Sequence, residues 1–372
     1  MKILHLIPTL EVGGAERMLC LLVEEQVQLG HDVTVITLQP GGTLAPRIRR
    51  SGANLTELKI RGAKRIHDLP SQLWDARRLL RARDVDIVHT WMYHAAVLGE
   101  VFAQRGKTVV SIHHEDPIDH GVSRVTRLFA RLTGILARRA LGVTYVSENA
   151  KRRHQQIGYG SFRKDFVIPP GVSSDQFRIP TTAERNSARL RLKLPLDDYT
   201  FALLSRFHPD KDPLTLLHAM GLAVKEIPTL RLLLIGRDMT GENPDLARMI
   251  ATYGLSSAVR LIGEVNAPED ELAAADAICL SSRTESFGLA LVEGMLCGLT
   301  PIATDVGAVR EIVGDTGVVV PASDPYALAS ALVETARRIT SSDGRAARRI
   351  QAMRFSTQSV TDAYQDVYSQ AN

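Results

Sequence analysis

Short apolar, β-branched runs alternate with longer segments whose apolar residues recur every three or four positions, and this rhythm continues over nearly the whole chain. In the first half the runs fall at residues 3–7, 32–38, 87–90, 108–112, 143–146 and 166–168; in the second, at 200–204, 231–235, 259–262, 277–280, 301–303 and 317–320. Runs of that length predict strands, and the intervening period predicts helices. Strand and helix in regular alternation, with right-handed crossovers, predict parallel sheets covered by helices on both faces. The run Ile168-Pro169-Pro170-Gly171 interrupts the rhythm, and residues 172–182 read as a linker. After Pro325 the pattern is helical to the end.

A chain of 372 residues exceeds the usual single core, so two domains are expected. Apolar residues at 45% and charged residues at 23% fit ordinary globular folding of both. The apolar runs stay far short of the roughly 20 residues that span a bilayer. Residues 1–7 already read as a strand and are too short for a signal-peptide core, which makes the cytoplasm the expected location. Cys20, Cys279 and Cys297 are few, odd in number and embedded in apolar patterns, and read as buried reduced thiols. His113-His114 alone cannot complete a metal shell, so neither metal nor cofactor is expected. Residues 1–178 hold 26 Lys and Arg against 17 Asp and Glu, whereas the remainder is net acidic. A basic half can meet nucleic acid, an anionic membrane or a phosphate-bearing acceptor. The lack of an aromatic-interleaved basic motif disfavours nucleic acid.

Candidate chemistry concentrates after strand-like runs. Glu285 and Glu293 flank a Gly-containing turn and the first turns of a helix that Gly298 stops. Carboxylates so placed can grip sugar and ribose hydroxyls, and backbone N–H groups near Phe287, Gly288 and Leu289 would lie unpaired at the helix N-terminus, where a phosphate or an oxygen-rich sugar fits. A capping acid and a solvated face are the plainer reading of the pair. Arg206 and Lys211 follow the first strand of the second half, as cations for a diphosphate or as a solvated loop pair. Gly13-Gly14 lies between the first strand and a helix beginning near Ala15; two glycines permit φ > 0 and close ligand approach, though a generic turn needs no more. There is no G-x-G-x-x-G, so a nicotinamide site is disfavoured. His113 ends a strand and is followed by His114, Glu115 and Asp116. Residues 122–141 place Val125, Leu128, Phe129, Leu132, Ile135 and Leu136 at helical spacing, with Arg124, Arg127, Arg131, Arg138 and Arg139 elsewhere on the wheel. This amphipathic basic helix reads either as packed on its own domain or as a contact with anionic lipid.

Three of these elements together carry a resemblance: "HLIPTLEVGGAER" at residues 5–17, "SRFHPDKDPLTLLHA" at 205–219 and "LSSRTESFGLALVEGMLCGLTPIATDVGAVREIV" at 280–313. In order and spacing they resemble the first strand and glycine loop, the Arg-x4-Lys element and the E-x7-E motif of the retaining glycosyltransferases of family 4. The chain departs from that family in having Ser205 before the arginine, where Gly is common, and Pro170-Gly171-Val172-Ser173 at the linker.

The resemblance implies the α/β GT-B fold: two Rossmann-like domains with parallel sheets facing each other across a cleft. It implies an acceptor domain at 1–175, a nucleotide-sugar domain at 176–354 and a final helix at 355–372 crossing back to the first. It also implies transfer of a hexose-type sugar from a nucleoside-diphosphate sugar to a carbohydrate or lipid-linked acceptor, in polysaccharide or glycolipid assembly. His113, or His114 if the register slips, would contact the transferred sugar. Arg206 and Lys211 would hold the diphosphate without a metal, Glu285 the sugar hydroxyls and Glu293 the ribose; Gly13, Gly14, Phe287, Gly288 and Leu289 would line the donor. A peripheral place on the inner membrane face fits the basic half. The rival expectations are a nucleotide-sugar epimerase or hydrolase on the same fold, and a non-catalytic binding protein.

Overall fold

The computed structural model describes residues 1–370 apart from 12, 59–73, 75–76, 79–83, 105, 115–122, 160–163 and 339–341. Val12, Glu115, Asp116 and Val122 therefore lie outside the described residues. The chain forms two compact units, one of Met1–Gly171 with Thr357–Asn372, the other of Val172–Ser356.

The first unit holds seven parallel strands: β1 (Lys2–Ile7), β2 (Asp32–Thr37), β3 (Asn54–Glu57), β4 (Ile87–Trp91), β5 (Thr108–Ile112), β6 (Gly142–Tyr145) and β7 (Asp165–Val167). Their order is β3-β2-β1-β4-β5-β6-β7. Alternation along β1 sends Ile3 and Ile7 to the face covered by the helix Gly14–Gln28 and by Tyr364 and Tyr368 of the final helix Thr357–Ser369, while Leu4 and Leu6 join Ile36 and Val88 on the other. The strand β3 has no counterpart among the apolar runs of the sequence. Its residues, Asn-Leu-Thr-Glu, are exposed or half-buried at the sheet edge, and a strand with no buried face leaves no period-2 signal.

The second unit repeats the plan with β8 (Tyr199–Leu204), β9 (Leu230–Ile235), β10 (Val259–Gly263), β11 (Ala277–Leu280), β12 (Thr300–Thr304) and β13 (Val318–Val320), ordered β10-β9-β8-β11-β12-β13. Phe201, Leu203, Leu232, Leu234, Ala277 and Cys279 pack one face, and Ala202, Leu233, Ile235, Ile278 and Leu280 pack the other. Both sheets are thus buried on both sides, which is why their strands read as nearly continuous apolar runs.

Each sheet reverses its winding once, between β1 and β4 in the first and between β8 and β11 in the second. Loops leaving the C-terminal ends of the two central strands diverge there, so each sheet has a ready place for ligand-facing side chains. The three cysteines are buried and free. Among the described residues no helix is long and apolar enough to cross a membrane.

Candidate functional site

At the switch point of the second sheet, the loop after β8 carries Arg206 and Lys211 and the loop after β11 carries Glu285. The two loops are tied through their backbones. Ser281 donates its hydroxyl to the Lys211 carbonyl at 2.8 Å, and the Arg283 N–H donates to the Asp210 carbonyl at 2.8 Å. The Arg283 guanidinium clamps the Asp212 carboxylate at 2.9 and 3.3 Å. Asp212 is buried in the left-handed region at φ 45°, and it caps the helix Pro213–Glu226 by accepting from the Thr215 N–H and hydroxyl.

This frame brings the Lys211 ammonium to 2.5 Å from Glu285 Oε2, with Ser282 Oγ 3.3 Å from the same oxygen. Both partners keep only partial exposure, 23% for Lys211 and 15% for Glu285, so the pair is sheltered but reachable. Such a pair is a charge-assisted donor and acceptor placed side by side, suited to exchange its internal bond for bonds to a ligand that carries both hydroxyl and phosphate oxygens. Arg206 is exposed, with no ion pair among the described residues.

Two glycines make the close approach of these loops feasible. Gly307, at φ +55°, follows β12, and a Cβ there would lie 1.9 Å from the Glu285 carbonyl oxygen; Gly236, at φ +134°, follows β9, and a Cβ there would lie 2.1 Å from the Ser205 carbonyl oxygen. Sequence reasoning missed both, although Gly307 lies inside the quoted motif. Asp212, Ser282 and Arg283 were missed too; the signal available for Asp212 was an Asp immediately before a helix-opening Pro.

The helix Leu289–Leu296 begins at Gly288, φ +110°, without a side-chain cap and without an acid in its first turn. The Leu291 N–H already donates to the Gly288 carbonyl at 2.9 Å, which leaves the N–H groups of Leu289 and Ala290 for an anionic or oxygen-rich ligand. Leu291, Val292, Met295 and Leu296 are buried in the core, whereas Glu293 is half-buried on the remaining face, four residues before Cys297. The Phe287 side chain is in the core, edge to face with Phe355 at 5.3 Å, so this residue can meet a ligand only through its backbone. Leu289 is half-buried against the same core.

Gly13, Gly14 and His113 belong to the first unit. The freedom of φ > 0 that the glycines permit is not used: Gly13 is extended at φ −154° and Gly14 is the first residue of its helix. What distinguishes Gly14 is space, since a Cβ there would meet nothing within 4 Å. His113 stacks on Trp91 with ring centroids 5.0 Å apart, and burial pushes its pKa down to about 4, so the imidazole is neutral at pH 7. His114 has its ring 6.4 Å from that of Tyr93.

Beneath His113 runs a buried polar chain that sequence reasoning did not find. The parallel register sets His5 beside His89, and Trp91 beside Ser111. Trp91 can only donate, so its indole N–H at 3.1 Å makes His5 Nδ1 the acceptor and leaves Nε2–H to donate to Gln26 at 2.8 Å. Gln26 donates in turn to Tyr368, whose hydroxyl pairs with His89 Nδ1 at 2.7 Å, and His89 Nε2 pairs with Ser111 at 2.5 Å. Accepting from Trp91 requires His5 neutral, and His89 is neutral as well. Burial enforces this, with the His5 pKa pushed down to about 4 and that of His89 well below the ordinary value.

Two parallel sheets, one of seven strands and one of six, each with a single switch point, are the plan of two Rossmann-like domains. The sequence profile of Glycosyltransferase Family 4 matches residues 12–176, and that of Glycosyl transferases group 1 matches residues 198–338. The chain belongs to these glycosyltransferases. A D-inositol 3-phosphate glycosyltransferase of Thermobispora bispora is 36% identical over 45% of this chain and 41% of its own length, and one of Streptomyces avermitilis is 28% identical over 99% and 85%. The chain thus spans less than half the length of the first of these relatives in the matched region. The fold of Anabaena HepE in complex with UDP superposes with a TM-score of 0.84 at 22% identity, covering 99% of this chain and 100% of that one.

Proposed function

We propose that the protein moves a hexose-type sugar from a nucleoside-diphosphate sugar to an acceptor hydroxyl, with retention at the anomeric carbon. The observation that carries the reading is the Lys211–Glu285 contact at 2.5 Å on the switch-point loops of the second sheet. Lys211 and the exposed Arg206 supply positive charge for a diphosphate that becomes more negative as it leaves, which stabilises the transition state without a metal. Glu285 takes the hydroxyls of the transferred sugar and Glu293 those of the ribose. The uncapped start of the helix Leu289–Leu296 adds backbone donors.

Retention follows by front-side substitution: the bond from the anomeric carbon to the leaving phosphate oxygen breaks on the face where the acceptor oxygen attacks, and that phosphate oxygen receives the acceptor proton. The protein contributes position and charge. His113, neutral and stacked on Trp91, offers a hydrogen bond to the sugar rather than a charge. The acceptor is a lipid-linked saccharide of polysaccharide or glycolipid assembly, reached from the cytoplasmic side by a peripheral enzyme.

A thermal-shift screen against UDP-, GDP- and ADP-sugars tests the donor. UDP-glucose is the natural first choice, since Anabaena HepE is described in complex with it. A donor at 100 times its Kd stabilises the protein by about 2.7 kcal/mol. D-inositol 3-phosphate, the substrate named for the relatives, is the soluble acceptor for comparison. With the donor in hand, Glu293→Ala lowers nucleotide affinity and Glu285→Gln lowers turnover at saturating donor. Parent-like behaviour of both variants overturns the assignment.

A further inference from the structure

The helix Arg124–Leu136 packs on its own unit with its small residues and Phe129, and turns Val125, Leu128, Leu132 and Ile135 outward. Ala130, Thr133 and Gly134 are buried, and a Cβ on Gly134 would lie 2.9 Å from the Tyr159 ring. Thr133 donates to the Tyr93 carbonyl at 3.3 Å. By contrast Val125, Leu128, Leu132 and Ile135 are 59%, 56%, 37% and 62% exposed. Of the two readings the sequence left open, packing of the apolar face on its own domain leaves Val125, Leu128 and Ile135 more than half uncovered.

At about 100° per residue the four fall within an arc of about 80°, a continuous stripe along three turns. Arg124 and Arg131 lie in the arc adjoining that stripe, and Arg127, half-buried, continues it toward the packed face. Residues 120–147 contain five arginines and no Asp or Glu, so the segment is strongly basic. An aqueous surface would gain nothing from four large aliphatic side chains in a row. A partner that is apolar in depth and anionic at its boundary matches both the stripe and the arginines.

We propose that the helix Arg124–Leu136 is a docking surface for an anionic lipid bilayer, lying in the interface with Val125, Leu128, Leu132 and Ile135 inserted and the arginines at the level of the headgroup phosphates. This deepens the lipid-linked acceptor reading and rests on it only for what is glycosylated there.

The test is co-sedimentation of the full chain with vesicles of phosphatidylcholine containing 30% phosphatidylglycerol, against pure phosphatidylcholine, with no nucleotide sugar present. The parent binds the anionic vesicles at least ten-fold better, and binding weakens as salt shortens the reach of surface charge. Replacing Arg124, Arg127 and Arg131 with Gln weakens binding by about a hundred-fold, at about 1 kcal/mol per surface cation. Replacing Val125, Leu128, Leu132 and Ile135 with Ser abolishes it, while the melting temperature and nucleotide binding of both variants match the parent. Equal binding to both vesicles, no binding at low salt, or a parent dimer that the Ser variant converts to monomer overturns the proposal, the last in favour of a second copy on the stripe. Because vesicle binding is scored without donor, a protein that binds lipid but no nucleotide sugar would keep the docking surface and defeat the transferase reading instead.

Discussion

Gly307 offers a sharp test of the site, because it touches none of the proposed ligand-binding side chains and acts only through backbone position. Its φ of +55° and the 1.9 Å separation of a would-be Cβ from the Glu285 carbonyl oxygen mean that Gly307→Ala carries two costs. Left-handed backbone costs an alanine about 1–2 kcal/mol. Relieving the clash requires the Glu285 backbone to retreat by about 1 Å, and a misplacement of that size near reacting groups can cost about 10²-fold in rate. Gly314 separates the two costs. It too has positive φ, +52°, with ψ −135°, so alanine is strained there as well, but its Cβ would meet the flexible Gln351 side chain at 3.1 Å instead of the site. Gly307→Ala and Gly314→Ala should both melt a few degrees below the parent. In initial-rate assays with the donor selected by thermal shift, only Gly307→Ala should lose about 10²-fold in turnover. Parent-like turnover of Gly307→Ala, or an equal loss in Gly314→Ala, would refute the claim that the Gly307 contact sets Glu285.

Three further outcomes follow from the same geometry. Arg206→Ala and Lys211→Ala should each lose on the order of 3 kcal/mol of transition-state stabilisation, the scale of one preorganised donor, and near-normal turnover of either would remove it from the phosphate site. Turnover should persist in excess EDTA, since Arg206 and Lys211 supply the charge in the proposed mechanism; an absolute need for added divalent metal would count against it. Stability should fall on acidification from pH 6.5 toward 4, because in that window the unfolded chain protonates His5 while the folded chain, with its pKa lowered to about 4, does not. The contribution is fully present above pH 6.5 and its loss approaches about 3 kcal/mol by pH 4 for His5 alone, so urea unfolding that is equally stable at pH 7 and pH 5 would contradict the burial argument.

The α/β plan was legible because every central strand is buried on both faces, so Ile3 to Ile7 or Leu230 to Ile235 stand out as unbroken apolar runs. Only the edge strand Asn54–Glu57, with no buried face, escaped. Among the candidate site residues, Arg206, Lys211, Glu285 and Glu293 were legible through their spacing on loops and one helix. The direct partnership of Lys211 with Glu285 was not, since 74 positions separate them and only the β8–β11 pairing brings their loops together. Gly13-Gly14 shows a related limit: two adjacent glycines announce freedom, but whether that freedom is spent on positive φ or on open space is decided by the surrounding fold.

The buried chain from Trp91 to Ser111 marks the limit of one-dimensional reading most clearly. His5 and His89 are lone histidines in apolar strands, and each taken singly is an unremarkable core residue. Parallel register puts them side by side, the final helix adds Tyr368 more than 270 positions away from His89 in sequence, and the donor-only indole of Trp91 then fixes the direction of the bonds as far as Tyr368. The other His5 tautomer would set its Nδ1–H against the Trp91 indole N–H, so the network selects one arrangement of Trp91 and hence one surface for His113 to stack on. Local sequence pattern therefore specifies which residues are buried, and the orientation of this candidate ligand-facing histidine is inherited from bonds that exist only once the sheet and the final helix have come together.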